Sequence, residues 1–438
     1  MAARYYIAGG LSTATDSSTV TLLNPNRAAA SVRLMFYYAD GATATRSVVV
    51  GPNGRRGVAV PAGAGRGRGR PFGLYIAATR PVAAQVDMAR RGKDGDTLLG
   101  ATGLGRRWYL AEGYTGLSFH EQISILNPDA RGAARVRLTL LPADGRAART
   151  VAVTVPAHTN DVVDVNRLLP GRALGVLATS DRPVAVERTL TFGKDGYGLT
   201  ARGGVGAAAT SWIFAEGTTT SGFQTYLTLF NPGDRAAQAT VSLFGRGGPT
   251  LRRTTVSVAA HGRATLALNR LVHASGFATL ALNRLVHASG FASVVTSDRP
   301  IVVERPEYFG SPNGRRVAGS DVFGRNGTGA AWSFPGPGAG GPSTEVAGES
   351  RFLLLYNPSP FTLLVDVTLY DGGGRALTRR VNVPPTARAT LDLRRLVPGF
   401  VASGGIVARS VDGRGFVAEQ TTFMSDHSAL SSTEGIAR

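Results

Sequence analysis

The chain has 438 residues, too many for one ordinary hydrophobic core and enough for three or four domains of roughly 100 to 150 residues. It contains no cysteine, which excludes disulfides, thiolate metal sites and cysteine nucleophiles. The formal net charge is +19, and all basic residues except Lys93 and Lys194 are arginine. Such a charge permits an anionic partner, such as acidic glycan, cell-wall phosphate or nucleic acid, without requiring one.

The start of the chain, MAARYYIAGG, has no apolar core of the kind found in a signal peptide. No apolar run approaches the roughly 20 residues that a membrane-spanning helix needs. We therefore expect no membrane span, and export would require a signal that this sequence does not show.

Four repeats follow one another along the chain. Each contains a short apolar segment that ends in Asn-Pro, and the first three are about 100 residues apart. The four asparagines are Asn24, Asn127, Asn231 and Asn357. The expected units are residues 1–105, 106–209, 210–331 and 332–438.

Within repeat two, Val136, Leu138 and Leu140 alternate with polar residues, which is the two-residue period of a half-buried strand. About seven such short segments, separated by Gly, Pro and Asp-Gly turns, occupy each repeat, and no segment keeps a helical period. This pattern is typical of an immunoglobulin-like β-sandwich. The sequence predicts an all-β protein of four tandem immunoglobulin-like β-sandwich domains.

Repeats two and three share two acidic landmarks, one in W-x-F/L-A-E-G and one in R-P-x-x-x-E-R. These residues are Glu112 and Glu187 in repeat two, and Glu216 and Glu304 in repeat three. They could form an acid and base pair, as in glycosidases. Both carboxylates are missing together from repeat one, where Gly9 and Gln85 stand, and an arginine follows each second glutamate. We favour a structural ion pair or a hydrogen bond to strand ends.

The segment ATLALNRLVHASGF occurs twice without a difference, in residues 264–291 of repeat three. Removal of one copy restores the length of the other repeats. We expect one copy to form the strand and short turn of the repeat, and the other to form a loop or added edge structure, because loop length costs little free energy.

The remaining candidates are basic and aromatic. Arg66, Arg68 and Arg70 form the densest basic stretch and could contact a polyanion, although an exposed loop explains them as well. A tryptophan opens each of the last three repeats (Trp108, Trp212 and Trp332), and we expect core packing over a sugar-stacking platform. No spacing indicates a metal, a cofactor or a catalytic nucleophile, so we assign no catalytic, cofactor-binding or metal-binding residue.

The repeated phrase W-x-F/L-A-E-G … N-P … S-D-R-P-V-x-x-E-R resembles the tandem Ig-like β-sandwich repeats of secreted and surface proteins of high-GC bacteria. This resemblance implies an extracellular array displayed at the cell surface, without an assigned catalytic site. We therefore expect an extracellular structural or surface-interaction protein, such as a stalk, sheath, filament subunit or adhesin segment. Its expected partners are itself, as a homopolymer assembled through strand edges and domain ends, or other surface components.

The alternative function is an array of basic domains that binds acidic glycan or another cell-wall polyanion by avidity. An enzyme ranks behind both, and nucleic-acid binding ranks last because it depends on charge alone.

Overall fold

The computed structural model describes all residues of the chain except 14, 61–69, 91–93, 194–195, 249, 274–285, 288–289, 311–315, 337–349, 372, 398–403, 424–429 and 438. The described chain is almost entirely β-structure in several antiparallel sheets, which confirms the all-β class. No helix in the described part is long and apolar enough to cross a membrane.

The first two repeats follow the same order of elements. Repeat one contains β1 (Ala2–Ser12), β2 (Asp16–Asn24), β3 (Ala30–Tyr38), β4 (Thr43–Val50), β5 (Gly54–Ala59), β6 (Arg70–Arg90) and β7 (Asp94–Leu99). Repeat two contains β8 (Gly105–Leu110), β9 (His120–Asn127), β10 (Ala134–Pro142), β11 (Arg149–Val155), β12 (Thr159–Asp164), the short helix α1 (Val165–Leu168), β13 (Leu174–Phe192) and β14 (Gly198–Gly203).

The last two repeats vary this order. Repeat three contains β15 (Ala209–Phe214), β16 (Phe223–Asn231), β17 (Ala237–Phe244), β18 (Thr250–Val258), β19 (Gly262–Ala267), a 3₁₀ turn (Leu268–Arg270), β20 (Val272–His273), β21 (Val286–His287), β22 (Ala292–Gly310) and β23 (Arg316–Phe323). Repeat four contains β24 (Ala331–Phe334), β25 (Ser350–Asn357), β26 (Leu363–Tyr370), β27 (Ala376–Val383), β28 (Ala387–Asp392), the short helix α2 (Leu393–Leu396), β29 (Gly405–Ser410), β30 (Val417–Phe423), β31 (Leu430–Glu434) and β32 (Ile436–Ala437).

One long strand in each of the first three repeats belongs to two layers. In repeat one, the first half of β6 pairs with β1 and β3, and its second half pairs with β2 and β7. β13 and β22 do the same in repeats two and three. In repeat four the long strand is divided into β29 and β30, and between them Gly413 has a φ of +78°, a left-handed conformation that does not continue a strand.

The alternating pattern places the core as expected. In β10, Val136, Leu138 and Leu140 are buried, whereas Arg135 and Arg137 are exposed. The buried apolar side chains of repeats two and three form one continuous cluster, so these repeats do not have separate cores.

The asparagine of each Asn-Pro turn holds that turn against the next hairpin. The Asn127 Nδ2 donates to the carbonyl oxygens of Gly132, Val155 and Pro156, each at 3.0 Å. The matching asparagines Asn24, Asn231 and Asn357 each donate to three carbonyl oxygens in the same way. These four landmarks are therefore buried tethers between loops.

The four repeats close into a ring. Their last strands, β7, β14, β23 and β31, are neighbours in cyclic order, and β31 returns to β7. The N-terminal amino group of Met1 donates to the carbonyl oxygen of Ala437. The Gly/Ala-rich segment Gly203 to Ser211 connects repeats two and three. Its Val205 exchanges two backbone hydrogen bonds with Tyr109, so the segment is part of the packed structure.

Both copies of the duplicated segment contribute to repeat three. The first copy supplies β19 and the 3₁₀ turn, where the Asn269 side chain accepts from the Thr225 amide as Asn166 does from Glu121 in repeat two. The second copy supplies the fully buried Phe291. The additional length thus lies between the turn and this phenylalanine, and most of it is outside the described residues.

We predict that Asn127→Ala lowers the free energy of unfolding by about 2 to 4 kcal/mol, because three carbonyl oxygens lose their donor. Denaturant unfolding of the variant measures this loss. Asn326→Ala, at an exposed asparagine, is the matched control and should change stability by less than about 0.5 kcal/mol. Equal effects of the two substitutions would contradict the tether role.

Deletion of one copy of the duplicated segment should leave the protein folded, with a change of less than about 1 kcal/mol in the free energy of unfolding, because only loop length is lost. Any deletion of one full period gives the same sequence, so one variant is sufficient. Calorimetry of this variant beside the parent chain tests the expectation. A large loss of stability would show that the additional residues pack as part of repeat three.

Candidate functional site at the junctions between repeats

A carboxylate from one repeat accepts hydrogen bonds from the backbone of the preceding repeat. Glu304 accepts from the amides of Ala111 and Glu112, Glu187 accepts from those of Ala8 and Gly9, and Glu419 accepts from those of Ala215 and Glu216. The three carboxylates are fully buried. Each satisfies two consecutive amides, which lie within the first strand of repeat one and just after the first strand of repeats two and three.

Buried arginines pair with two of these carboxylates, Glu304 and Glu419, across the same junctions. Arg188 pairs with Glu304 at 2.7 Å and with Asp321, both in repeat three. Arg305 likewise pairs with Glu419 of repeat four at 2.8 Å. Each arginine therefore pairs with the next repeat rather than with the glutamate beside it in sequence. Removal of one partner from such a buried pair costs about 3 to 5 kcal/mol.

The glutamate of each A-E-G segment also pairs with arginine. Glu112 pairs with Arg263 of repeat three. Glu216 pairs with Arg305 of its own repeat at 3.1 Å and lies 3.7 Å from Arg388 of repeat four. The two glutamates of repeat two belong to different junctions, because Glu187 contacts repeat one, so they do not form an acid and base pair around a common substrate.

At the junction between repeats four and one, side chains of repeat one donate hydrogen bonds to the backbone of repeat four, whereas the glutamates at the other junctions accept them. Pro335 occupies the position of the capped alanine and has no amide hydrogen to offer. Repeat one correspondingly carries Gln85, whose Nε2 donates to the carbonyl oxygen of Gly336 at 3.0 Å. Arg55 donates to the carbonyl oxygen of Pro335 at 2.8 Å. The glutamine that broke the sequence pattern is therefore matched to the proline that broke it in repeat four.

Sequence reasoning did not find the arginines that bind the A-E-G segment. Arg55, Arg263 and Arg388 occupy one equivalent position, two residues after a residue of positive φ in each hairpin. Repeat two has Asn160 at this position, and the corresponding segment of repeat one has Gly9 where repeats two and three have a glutamate. A comparison of this position between repeats could have shown that arginine accompanies glutamate.

The inner strands form a polar hub at the centre of the ring. Asp94 and Asp96 accept from the amides of Leu199 and Ala201 in the next repeat, at 2.8 and 2.9 Å. Arg202 donates to the carbonyl oxygen of Ser432 at 3.1 Å, which connects repeat two to repeat four. These side chains satisfy the backbone of strands that are packed against each other without a shared ladder.

Burial shifts the ionisation of several of these groups. Burial raises the pKa of Glu187 to about 8, although the Gly9 and Ala8 amides oppose this shift. Burial likewise raises the pKa of Glu121 and Glu307 to about 8, and that of Asp96 to about 7. Burial also opposes ionisation of Glu304, but the Arg188 guanidinium and hydrogen bonds hold its pKa below the usual range.

The remaining candidates from the sequence are basic and aromatic residues. Arg66 and Arg68 are outside the described residues, and Arg70 begins β6 opposite Ser12. The tryptophans Trp108, Trp212 and Trp332 are buried, and the Nε1 of each donates to a backbone carbonyl oxygen at 2.9 Å. They pack in the core. Within the described residues, no group of three or more His, Asp or Glu side chains is placed to hold a metal ion.

We predict that stability decreases as pH rises from about 5 to about 8. The folded chain retains protons on Glu121, Glu187, Glu307 and Asp96, whereas the same carboxyl groups of the unfolded chain are ionised above about pH 4.5. Each group can contribute up to about 1.4 kcal/mol per pH unit within its window. Denaturant midpoints measured across this range give the slope.

Glu187→Gln should reduce that slope, because the amide oxygen can still accept from Ala8 and Gly9 but no longer titrates. Glu187→Ala should reduce the slope equally and lower stability at every pH, since both amides lose their acceptor. A slope unchanged in both variants would contradict the buried, protonated state of this carboxyl group.

The chain is similar to several solved structures. A Thermotoga maritima protein designated 1070 has 22% identity over 23% of this chain and 93% of that chain, with a TM-score of 0.22. The Anabaena sensory rhodopsin transducer has 25% identity over 22% and 92% of the two chains, with a TM-score of 0.18. A tetra-tandem repeat from the extending region of a large adhesion protein has 13% identity over 95% and 93%, with a TM-score of 0.12.

No curated protein matches the chain. One family model matches residues 4–197 and 180–283, which together cover more than half of the chain. The chain therefore belongs to the family of unknown function DUF5719.

Proposed function

We propose that the protein is a non-catalytic structural or surface-interaction protein, displayed outside the cell and built from four immunoglobulin-like β-sandwich repeats that act as one ring. The observation that carries this proposal is the recurrence of buried charged contacts at the junctions. Glu304 and Arg188 have side-chain exposures of 0% and are bound to each other. Residues used in this way hold repeats together and are not accessible to a substrate.

The ring determines which surfaces can meet a partner. Strand edges and ring faces are the surfaces through which the ring would contact other copies or surface components. The strands β4, β11, β18 and β27 each end a sheet, and an exposed strand edge can accept a further strand.

A second candidate function is binding of acidic glycan or another cell-wall polyanion. The observation that favours it is that each of the four edge strands carries an exposed arginine: Arg46, Arg149, Arg253 and Arg379. With a net charge of +19, two copies repel each other, whereas an acidic polymer is attracted to several edges of one ring.

The structural proposal is tested by electron microscopy of the purified protein and of the surface of its source cells. Ordered arrays of ring-shaped particles, or particles retained on isolated cell envelopes, are expected. Protein that is confined to the cell interior and does not bind envelopes would overturn the proposal. So would a hydrolase activity that Glu112→Gln or Glu216→Gln abolishes.

We predict that reversing the four edge charges, by Arg46→Glu, Arg149→Glu, Arg253→Glu and Arg379→Glu, lowers the salt concentration that elutes the protein from immobilised alginate. The contacts with a polyanion decrease, and the salt dependence of retention becomes shallower. The control reverses Arg27, Arg167, Arg246 and Arg395, which are exposed arginines outside these strands. Equal effects of the two variants would show that only net charge matters.

A further inference from the structure

A cleft of about 400 Å³ opens between repeats one and two. Repeat one contributes Tyr6, Met35, Tyr37 and Tyr75 to its lining, and repeat two contributes the turn residues Pro128, Asp129 and His158. The Asp129 carboxylate pairs with Arg182 at 3.0 Å. This volume is within the range of ligand pockets, about 300 to 1,000 Å³.

The tyrosines form an aromatic surface with polar tips. The rings of Tyr6 and Tyr75 are stacked at 5.0 Å with 20° between their planes, and the Tyr37 ring lies 5.7 Å from the ring of His158. Tyr6 and Tyr75 are only half-buried. Burial and then the neighbouring Tyr75 raise the pKa of Tyr6 and Tyr37, so these phenols remain hydrogen-bond donors at neutral pH.

Packing of a junction does not require this aromatic row. Tyr6, Tyr75 and Met35 lie opposite one another across β1, β6 and β3. The equivalent rows are Tyr109, Leu177 and Thr139 in repeat two, Ile213, Val294 and Ser242 in repeat three, and Ser333, Val407 and Thr368 in repeat four. In the other three repeats, the positions of Tyr75 and Met35 thus hold only aliphatic or small polar residues. The stacked tyrosines are particular to repeat one.

Positive charge lies beside the tyrosine row on the same face of the sheet. Arg4 and Arg33 both pair in register with Ala77, two residues along β6 from Tyr75. Because paired residues project to the same face, these exposed guanidinium groups flank the aromatic row. Guanidinium groups bind carboxylates in a bidentate manner, and aromatic rings offer an apolar surface to the CH groups of a sugar ring.

We propose that this cleft binds a uronic-acid-containing glycan, with a sugar ring against Tyr6 and Tyr75 and its carboxylate on Arg4 or Arg33. The proposal locates a specific subsite for the second candidate function and is based on it. It differs from that candidate in naming one sugar-sized site in place of a charged surface distributed over the ring.

Isothermal titration calorimetry with tetragalacturonate tests the site on the full chain. We expect wild-type protein to bind this probe more tightly than neutral maltotetraose or oligothymidylate. Tyr75→Ala should weaken binding of tetragalacturonate at least tenfold, and Tyr75→Phe should retain most of it. Arg33→Ala should weaken binding several-fold and reduce its dependence on salt.

Matched controls come from equivalent or similar positions elsewhere in the ring. Arg137→Ala removes the arginine that takes the place of Arg33 in repeat two, and Tyr226→Ala removes a half-buried tyrosine of repeat three. Both variants should bind the probe within twofold of wild type. Tyr75→Ala should remain folded, because Tyr75 lies at the cleft surface. Thermal unfolding of this variant checks that it does.

Three results would overturn the site: no binding of tetragalacturonate, equal binding by wild type and Tyr75→Ala, or tighter binding of oligothymidylate. Retention on alginate separates these failures from failure of the second candidate. If Tyr75→Ala and wild type bind the probe equally but both are retained on alginate, the cleft is wrong and the charged array stands. If neither chain is retained on alginate nor binds the probe, both are wrong.

Discussion

The fold depends on a buried carboxylate that accepts two backbone amides of the preceding repeat. Glu304 does this for Ala111 and Glu112, and the buried Arg188 of repeat two pairs with its charge. Arg188 supplies the opposite charge that the buried Glu304 needs, because an unpaired charge in a protein interior costs several kcal/mol. A repeat with such a junction is therefore incomplete by itself.

Closure of the ring follows from this dependence. In an open row of repeats, the last A-E-G segment would leave its amides without an acceptor and the first repeat would carry an unused acceptor. The chain avoids both conditions at the junction of repeats four and one. There Pro335 removes an amide donor, and Gln85 and Arg55 donate to the remaining carbonyl oxygens. Gln85 and Pro335, which both depart from the repeat pattern, therefore complement each other at this junction.

Local features of the fold could be predicted because their causes are local. The alternation of Val136, Leu138 and Leu140 places side chains on one face of a strand, and the Asn-Pro turn recurs as a tether with the same three acceptors in each repeat. The division into all-β repeats follows from such signals. The packing of Gly203 to Ser211 could not be predicted, because its composition is typical of a linker, whereas its contacts depend on partners distant in sequence.

For the candidate site, the sequence predicts the structural role of the glutamates but not the residues that they contact. The pattern predicts structural glutamates, but partners such as Arg188 for Glu304 lie in the neighbouring repeat, where a comparison of residues within one repeat cannot locate them. The meaning of Gln85 depends on Pro335, 250 positions away in sequence and adjacent only after closure. In the sequence, Gln85 and Pro335 each appear only as a departure from the repeated pattern.

The same logic separates structural positions from functional ones. Positions whose residue types change together across a junction, such as Arg263 with Glu112 and Asn160 with Gly9, are fixed by each other. The row of Tyr6 and Tyr75 packs against Leu126 and Ala185 of repeat two, yet both rings remain half-buried at the cleft. The equivalent rows carry Leu177 or Val294 in place of Tyr75. In a ring of similar repeats, a specific contact is therefore expected where one repeat presents side chains that its counterparts lack.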